Sequence, residues 1–596
     1  MSMNIVTELQ SLGLEVEVLT TEVVVVGGGG AASRAALSAR LAGAEVLVLS
    51  KAPLGVGGST VHGASEIMSM GASGYGDAAD GPEVHYRDTM AAAQGFIDPA
   101  LVRVLAEDAP ARIRDLVEFG VPFDRAGQGA VHGALPGEER DFKLIRSDFG
   151  SYARAMGVSG KTGKAFVTAL ADQAAAHGVQ VRAPAGLVDL LFDAQGEVVG
   201  VLAYDAVADR WLVVQAGAVI LGTGGAHGLF SQQVSTAEMT GDGQAACWRA
   251  GAELVNMEFH QFGPALVHPY VQLFSKACFV LHPRMLNAQG HEFLPDYLPA
   301  GTSADEVYDE KVFPFTVTNA SRWIDISMAR EIAAGRGTPR GTVQYSFAHV
   351  PTEKIERTMP NTARWMRERG VDPQKDLLDV GIAFQCLNGG VRMVDSGART
   401  SLPGLHVIGE LAGGVRGPDR PGGNSLAEGQ VFGHRAGVAA AADARARGAV
   451  RPVAADAVVQ RLARGLKANR ELDASALASS LQQTMQRQCL VEKDEAGLAL
   501  ALQLVDQIDA AVAAGGNATP RALPQALTLE NMATTARIIL HACRARQESR
   551  SGHYRTDYPE RDVNYATAWS MRNEGGSIRM QPIAYAADYS RQEKST

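Results

Sequence analysis

The sequence predicts an α/β protein: a Rossmann-like domain carrying an inserted α+β cap domain and followed by a C-terminal helical domain. Three observations predict it. The first is an apolar, β-rich run at residues 21–26 (TEVVVV), followed by GGGG, an Ala-rich helix-like segment over 31–42 and a second strand-like run, AEVLVLS, at 44–50. Together these make a βαβ unit. The second is a change of texture over 245–350, which is rich in aromatics, His and Pro (MEFHQFGPALVHPY, VLHPRML, FLPDYLP), before the strand-like PGLHVIGE at 403–410 resumes the first pattern. The third is a series of Ala/Leu helices with polar faces after residue 440.

Each segment takes its place from this outline. At 596 residues the chain exceeds what one hydrophobic core supports, since cores stop growing at about 250–300 residues. Residues 1–244 and 351–440 are expected to form the nucleotide-binding domain, 245–350 the cap, and 441–596 the helical domain with an extended end. Within the first domain, LVDLLFDAQGEVVGVLAYD and RWLVVQAGAVIL read as an antiparallel insert over 187–215, with turns at Gln195-Gly196 and near Asp209. The helical domain is broken by GGNATPRALP at 515–524 and closes on the polar ESRSGHYRTDYPERD.

Composition narrows the function. Hydrophobic content of 46% with 20% charged residues describes an ordinary globular chain rather than a disordered one. A formal net charge of −10 argues against nucleic acid or an anionic membrane as the main partner, because either would require a basic face. Cys247, Cys278, Cys386, Cys489 and Cys543 form no CxxC or other ligand-like spacing, so no iron–sulfur cluster, zinc or other metal site is expected within the chain. The N-terminus lacks a basic start before an apolar core, and no later stretch reads as a membrane span, so a reduced, cytoplasmic protein is expected.

The glycines carry the strongest chemical signal. Gly27 and Gly29 lie between strand and helix, where the backbone can turn tightly and helix N–H groups can approach a pyrophosphate; the third fingerprint position is Ala32. A glycine run after a strand also serves as a plain turn. The second strand, however, ends in Ser50-Lys51 rather than the acidic residue that holds a nicotinamide cofactor's ribose, which weakens a simple NAD reading. Further glycine clusters follow at 55–60 (GVGGST), 221–225 (LGTGG), 408–410 (IGE) and 421–426 (PGGNSL). Separated glycine-rich strand ends suggest a large cofactor gripped along its length.

With these motifs in order, together with TGDGQAACWRAGAELVNMEF and RPGGNSLAEGQVFGHRAG, nearly the whole chain resembles the flavoprotein family of succinate dehydrogenase, fumarate reductase and L-aspartate oxidase. The resemblance implies FAD, with Gly27, Gly29, Gly30, Ala31 and Ala32 at its pyrophosphate, Ser50 and Lys51 near the adenosine ribose, and Gly58, Ser59 and Thr60 near phosphate and flavin. It also places Leu187 at the adenine, Thr223, Gly224, Gly225 and Asp242 along the cofactor, Gly409 and Glu410 at ribose hydroxyls, and Asn424, Ser425 and Leu426 at the flavin pyrimidine edge. Covalent attachment in this family uses a His where Ser59 stands here, so the FAD is expected to be dissociable.

By the same resemblance, Arg420, just before GGNS, is the substrate anchor, and a planar guanidinium suits bidentate carboxylate binding. Other substrate positions depart from the family. The His of QFHP is Gly263, a second His aligns with Gln385, the proton-donating Arg aligns with Ile326, and the TE and RGEGG segment is replaced by KACFVLHPRMLNAQGHEF. His260, His282, Arg284 and Arg322 are candidate replacements from the cap, the histidines suiting acid–base work near neutral pH. The cap aromatics Phe259, Phe262, Tyr270 and Phe279 are expected to build its core.

These observations point to an FAD-dependent oxidoreductase moving hydride between flavin and a small anionic substrate. Its candidate protein partner is an iron–sulfur or other electron-transfer subunit. Action on another substrate class, such as a sulfur compound or an amino acid, and a flavin-binding protein with altered catalysis stay open at this point.

Overall fold

The structure is a computed structural model describing residues 5–63, 65–66, 68–126, 142–448, 451–454, 456–466, 472–514, 521–583 and 585. Most of the 515–524 break and the last eleven residues of the expected C-terminal domain, 586–596, lie outside the described residues.

The first domain is built on a seven-stranded sheet in the order Gln180–Arg182, Val46–Leu49, Val16–Val26, Arg210–Leu221, Val198–Asp205 and Ala185–Phe192, with Leu405–Val407 also paired to Arg210–Leu221. The first strand is longer than the TEVVVV run suggests. Its earlier half, Val16–Thr21, carries the mixed polar and apolar pattern of a half-covered strand and pairs in parallel with Trp211–Ala216. The Arg210–Leu221 strand serves two neighbours on its other side: its start closes the expected antiparallel insert with Val198–Asp205, and Val219–Leu221 run parallel to Leu405–Val407.

Because Val16–Val26, Val46–Leu49, Arg210–Leu221 and Leu405–Val407 run parallel, their C-terminal ends fall along one edge. That edge is where open α/β sheets bind ligands. The helix Gly30–Leu41 covers the sheet and is crossed by the long helix Asn424–Arg447, with Gly437 so close that a β-carbon there would stand 2.4 Å from Ala35 O.

The cap is an antiparallel five-stranded sheet in the order Gln272–Leu273, His260–His268, Leu378–Leu387, Val343–Ser346 and Arg284–Leu286. This extends the cap past the expected boundary at residue 350, since Leu378–Leu387 is the central strand of the cap sheet and not part of the first domain. The apolar run of that strand suits a buried strand of either sheet, and pairing across more than a hundred residues with His260–His268 decides the matter.

After Arg447 come helices Asp456–Leu466, Ala474–Gln488, Glu495–Ala514 and Leu523–Ala545. Glu495–Ala514 is long and apolar enough to cross a membrane by length and composition. Its Asp506 and Asp509 nevertheless pair with Arg537 of Leu523–Ala545 at 2.7 and 2.6 Å. The chain then forms the hairpin Ala568–Glu574 and Ser577–Ile583, whose first strand pairs with Leu254–Val255. Arg546, 1% exposed, fixes this return by donating to Glu258 (2.6 Å), Glu548 (3.1 Å) and the carbonyls of Tyr565 and Thr567.

Candidate active site

A cavity of about 520 Å³ runs along the C-terminal edge of the main sheet and under the cap. The turn after the first strand forms one wall. Gly27 has φ +129°, and a β-carbon there would lie 2.2 Å from Gly222 O; one on Gly28 would lie 2.4 Å from Ser50 Oγ. Only hydrogen fits at these points, which brings the first glycine turn against the 221–225 motif and against Ser50 at the end of the second strand. Gly29, by contrast, has only Thr60 Oγ1 within 4 Å, at 3.8 Å, and lines the cavity.

Of the residues the sequence singled out for the cofactor, Gly27, Gly29, Gly30, Ala31, Ser50, Lys51, Gly58, Ser59, Thr60, Leu187, Thr223, Gly224, Asp242, Gly409, Glu410, Ser425 and Leu426 all line this one cavity. Ala32, Gly225 and Asn424 stand behind the wall. Ala32 is buried against Gly27 and Gly222, and Gly225 leaves the room that the Glu410 carboxylate fills. The Asn424 side chain is held by His85 and Thr89, each at 2.9 Å.

Lys51 donates to Asp242 (2.6 Å), Thr240 (3.0 Å) and Glu238 O (2.8 Å), while Asn531 donates to the other Asp242 oxygen at 2.8 Å. Burial pushes the Asp242 carboxyl up, but Lys51, Asn531 and Thr240 outweigh it and keep the group below its ordinary range. The first turn of the Asn424–Arg447 helix brings Ser425 and Leu426 to the cavity, and a helix's first N–H groups lack intrahelical partners. Thr223 Oγ1 is likewise buried without a hydrogen-bond partner. Unpaired donors beside a glycine cradle fit a ligand carrying phosphate and a polar ring edge.

The cavity continues to Arg420, whose guanidinium donates to Gln261 Oε1 (2.8 Å) and Pro421 O (3.2 Å), with its Nε buried and unpaired. Gln385 also lines this end, and its Oε1 is buried and unpaired. Residues that the sequence reading did not single out complete it: Arg146, Asp148, Ser275, Lys276, Phe313 and Cys386. Ser275 Oγ is a further buried, unpaired hydroxyl. Burial raises the Cys386 thiol to about 11, so it stays protonated.

The cap candidates are not brought here. His260 is buried outside the cavity among Phe230 and Phe384, its Nε2 3.2 Å from Met257 O, and burial lowers it to about 3, so it stays neutral. His282 lies between Asp305 (2.9 Å) and Asp309 (3.2 Å), and Arg284 pairs with Glu292 (2.8 Å) at an exposed position. Arg322 binds Val317 O at 3.0 Å beside the Trp323 ring. Residue type suggested these side chains, but none of the four is among the residues that line the cavity. Ile326, at the position aligned with the proton-donating Arg, is fully buried. Of the four cap aromatics, Phe262 stacks on Phe315 and Phe279 packs against Tyr345 within the cap, whereas Phe259 packs edge-on to Phe96 beside Val255, Ala568 and Ile583, and Tyr270 is half-buried under Arg369.

Comparison with known proteins gives the family. Residues 22–426 match the FAD binding domain family, and 478–593 match the fumarate reductase flavoprotein C-terminal family. The chain belongs to the fumarate reductase and succinate dehydrogenase flavoprotein family. Within it, the chain is 32% identical to one subunit of the fumarate reductase (CoM/CoB) of Methanothermobacter marburgensis, over 81% of this chain and 85% of that one. It is 33% identical to the L-aspartate oxidase of Caulobacter vibrioides over 89% and 91%. The structure matches Mycobacterium smegmatis Sdh1 with a TM-score of 0.79 and 28% identity, covering 95% of this chain and 94% of that one. The protein is an FAD-dependent oxidoreductase.

Proposed function

We propose that this flavoprotein exchanges hydride with a small carboxylate held at the Arg420 end of the cavity. The observation that carries the reading is Arg420 itself, which lines the same cavity as the cofactor cradle and keeps a buried, unpaired Nε. Its Nη2 is tied to Gln261, so the guanidinium plane is fixed before substrate arrives. Ser275 Oγ and Gln385 add polar contacts that no protein group uses.

FAD, when bound, supplies the hydride acceptor or donor. The chain orients the substrate through Arg420 and sets the positive first turn of the Asn424–Arg447 helix toward the end of the cavity where Ser425 and Leu426 lie, which favours negative charge there. At Ser59 a hydroxyl replaces the imidazole used for covalent attachment; it contacts Ser235 Oγ at 2.8 Å and Met239 Sδ at 3.0 Å, supporting a dissociable cofactor.

The names fumarate reductase and L-aspartate oxidase of the two relatives support a dicarboxylate or amino acid as substrate. That the Methanothermobacter relative is one subunit of its enzyme supports an electron-transfer partner. A panel of saturated and unsaturated acids tests the reading: one of them reduces or reoxidises the flavin anaerobically in the wild type, and does so far more slowly in Arg420→Ala.

A further inference from the structure

We propose that Lys276 is the catalytic acid–base residue, giving a proton to, or taking one from, the substrate atom adjacent to the carbon that exchanges hydride. This rests on the carboxylate reading above and names the group that completes it. Adding hydride to one carbon of a C=C or C=N bond leaves electron density on the neighbouring atom, so reduction requires one proton there and the reverse oxidation requires one removed.

Few groups are placed to do this. His260, His282, Arg284 and Arg322 lie outside the cavity, and the Cys386 thiol is tied to Gln261 at 3.2 Å. Lys51 is committed to Asp242, and Arg146 to Gly150 O through its Nε at 2.9 Å. Lys276 also lines the cavity, directly after the unpaired Ser275 hydroxyl, and its ammonium makes no hydrogen bond or ion pair with any described residue. An ammonium releases a proton far more readily than a guanidinium does.

The surroundings support turnover. Lys276 is exposed, so the amine left after donation regains its proton from solvent. Asp148 shares the cavity wall and interacts electrostatically with Lys276 and Lys311; burial pushes its carboxyl up while the Phe313 N–H, Lys276 and Lys311 draw it down. Lys311 is held by Asp325 at 3.1 Å, which leaves Lys276 as the one of these two cations without an ion-pair partner among the described residues.

The test compares wild type with Lys276→Ala as holoenzymes. Each is reduced with dithionite and mixed anaerobically with saturating fumarate, maleate, crotonate or acrylate, with binding read from the perturbation of the flavin band. Loss of at least 100-fold in the reoxidation rate is expected, with acid affinity changed less than fivefold and reoxidation by oxygen unchanged. Added methylammonium should restore at least tenfold of the lost rate. Reoxidation of Lys276→Ala at the wild-type rate, or a defect that weaker binding fully explains and no amine rescues, overturns the assignment while leaving the carboxylate reading in place. A wild type indifferent to every acid overturns that reading and the assignment with it.

Discussion

The phenyl ring of Phe313 fills the space in front of Gly263, its Cε2 standing 2.8 Å from where a β-carbon on residue 263 would lie. Phe313 N in turn approaches Asp148 at 3.4 Å, so the ring belongs to the wall that carries Asp148 and Lys276. The missing family His is therefore replaced by packing. Gly263→Ala should lower stability by roughly 1–3 kcal/mol through overpacking, and adding Phe313→Ala should recover part of that loss. Thermal melts of the single and double variants measure the coupling; additive losses would mean that the two side chains do not share the space.

Arg420→Ala should keep the flavin spectrum and weaken substrate-driven flavin reduction by about 2–5 kcal/mol, the cost of leaving a charged partner unpaired in a closed site. Arg420→Lys should recover little, because a single ammonium cannot hold Gln261 and a carboxylate in one plane. Stopped-flow reduction of both variants checks this.

Gly27→Val forces a side chain onto Gly222 O at a φ of +129° that only glycine adopts freely. The first strand, its turn and the Gly222 strand end then cannot meet, and purified Gly27→Val should be colourless. An absorbance ratio at the flavin and protein bands decides it; a wild-type flavin content would show the turn to be dispensable.

The Lys51–Asp242 pair should make stability depend on acid. Asp242 has a folded pKa held below its ordinary value, so its contribution is present above the unfolded pKa of about 4 and disappears as pH falls through the folded value. Asp242→Asn should therefore melt lower than wild type at pH 7, with the gap narrowing below about pH 4. A constant gap across that range would contradict the linkage.

How much of this was legible in the sequence followed from distance along the chain. Gly27, Gly29 and Glu410 were readable because each follows a strand end within a local motif, and the sheet delivers such ends to one edge, while Ser59 and Thr60 were readable from the glycine cluster GVGGST that precedes the helix Ser59–His62. Arg420 was singled out by the family resemblance, which sets an arginine just before GGNS, and it lines the cavity. Ser275, Lys276 and Phe313 were not, because short segments of the cap with no period of their own bring them to the cavity. His282 and Arg284 misled for the complementary reason: their chemistry is suitable, but nothing in the sequence shows that Asp305, Asp309 and Glu292 already occupy them. Leu378–Leu387 fell outside the expected 245–350 cap because an apolar run does not name its partner.

The most direct test of the central claim is the visible spectrum of the purified protein before and after acid precipitation, followed anaerobically with the panel of acids. A flavin spectrum whose chromophore passes into the supernatant, together with bleaching by a saturated acid or recovery by an unsaturated one, is the predicted result. A protein whose flavin responds to no carboxylate would contradict the account.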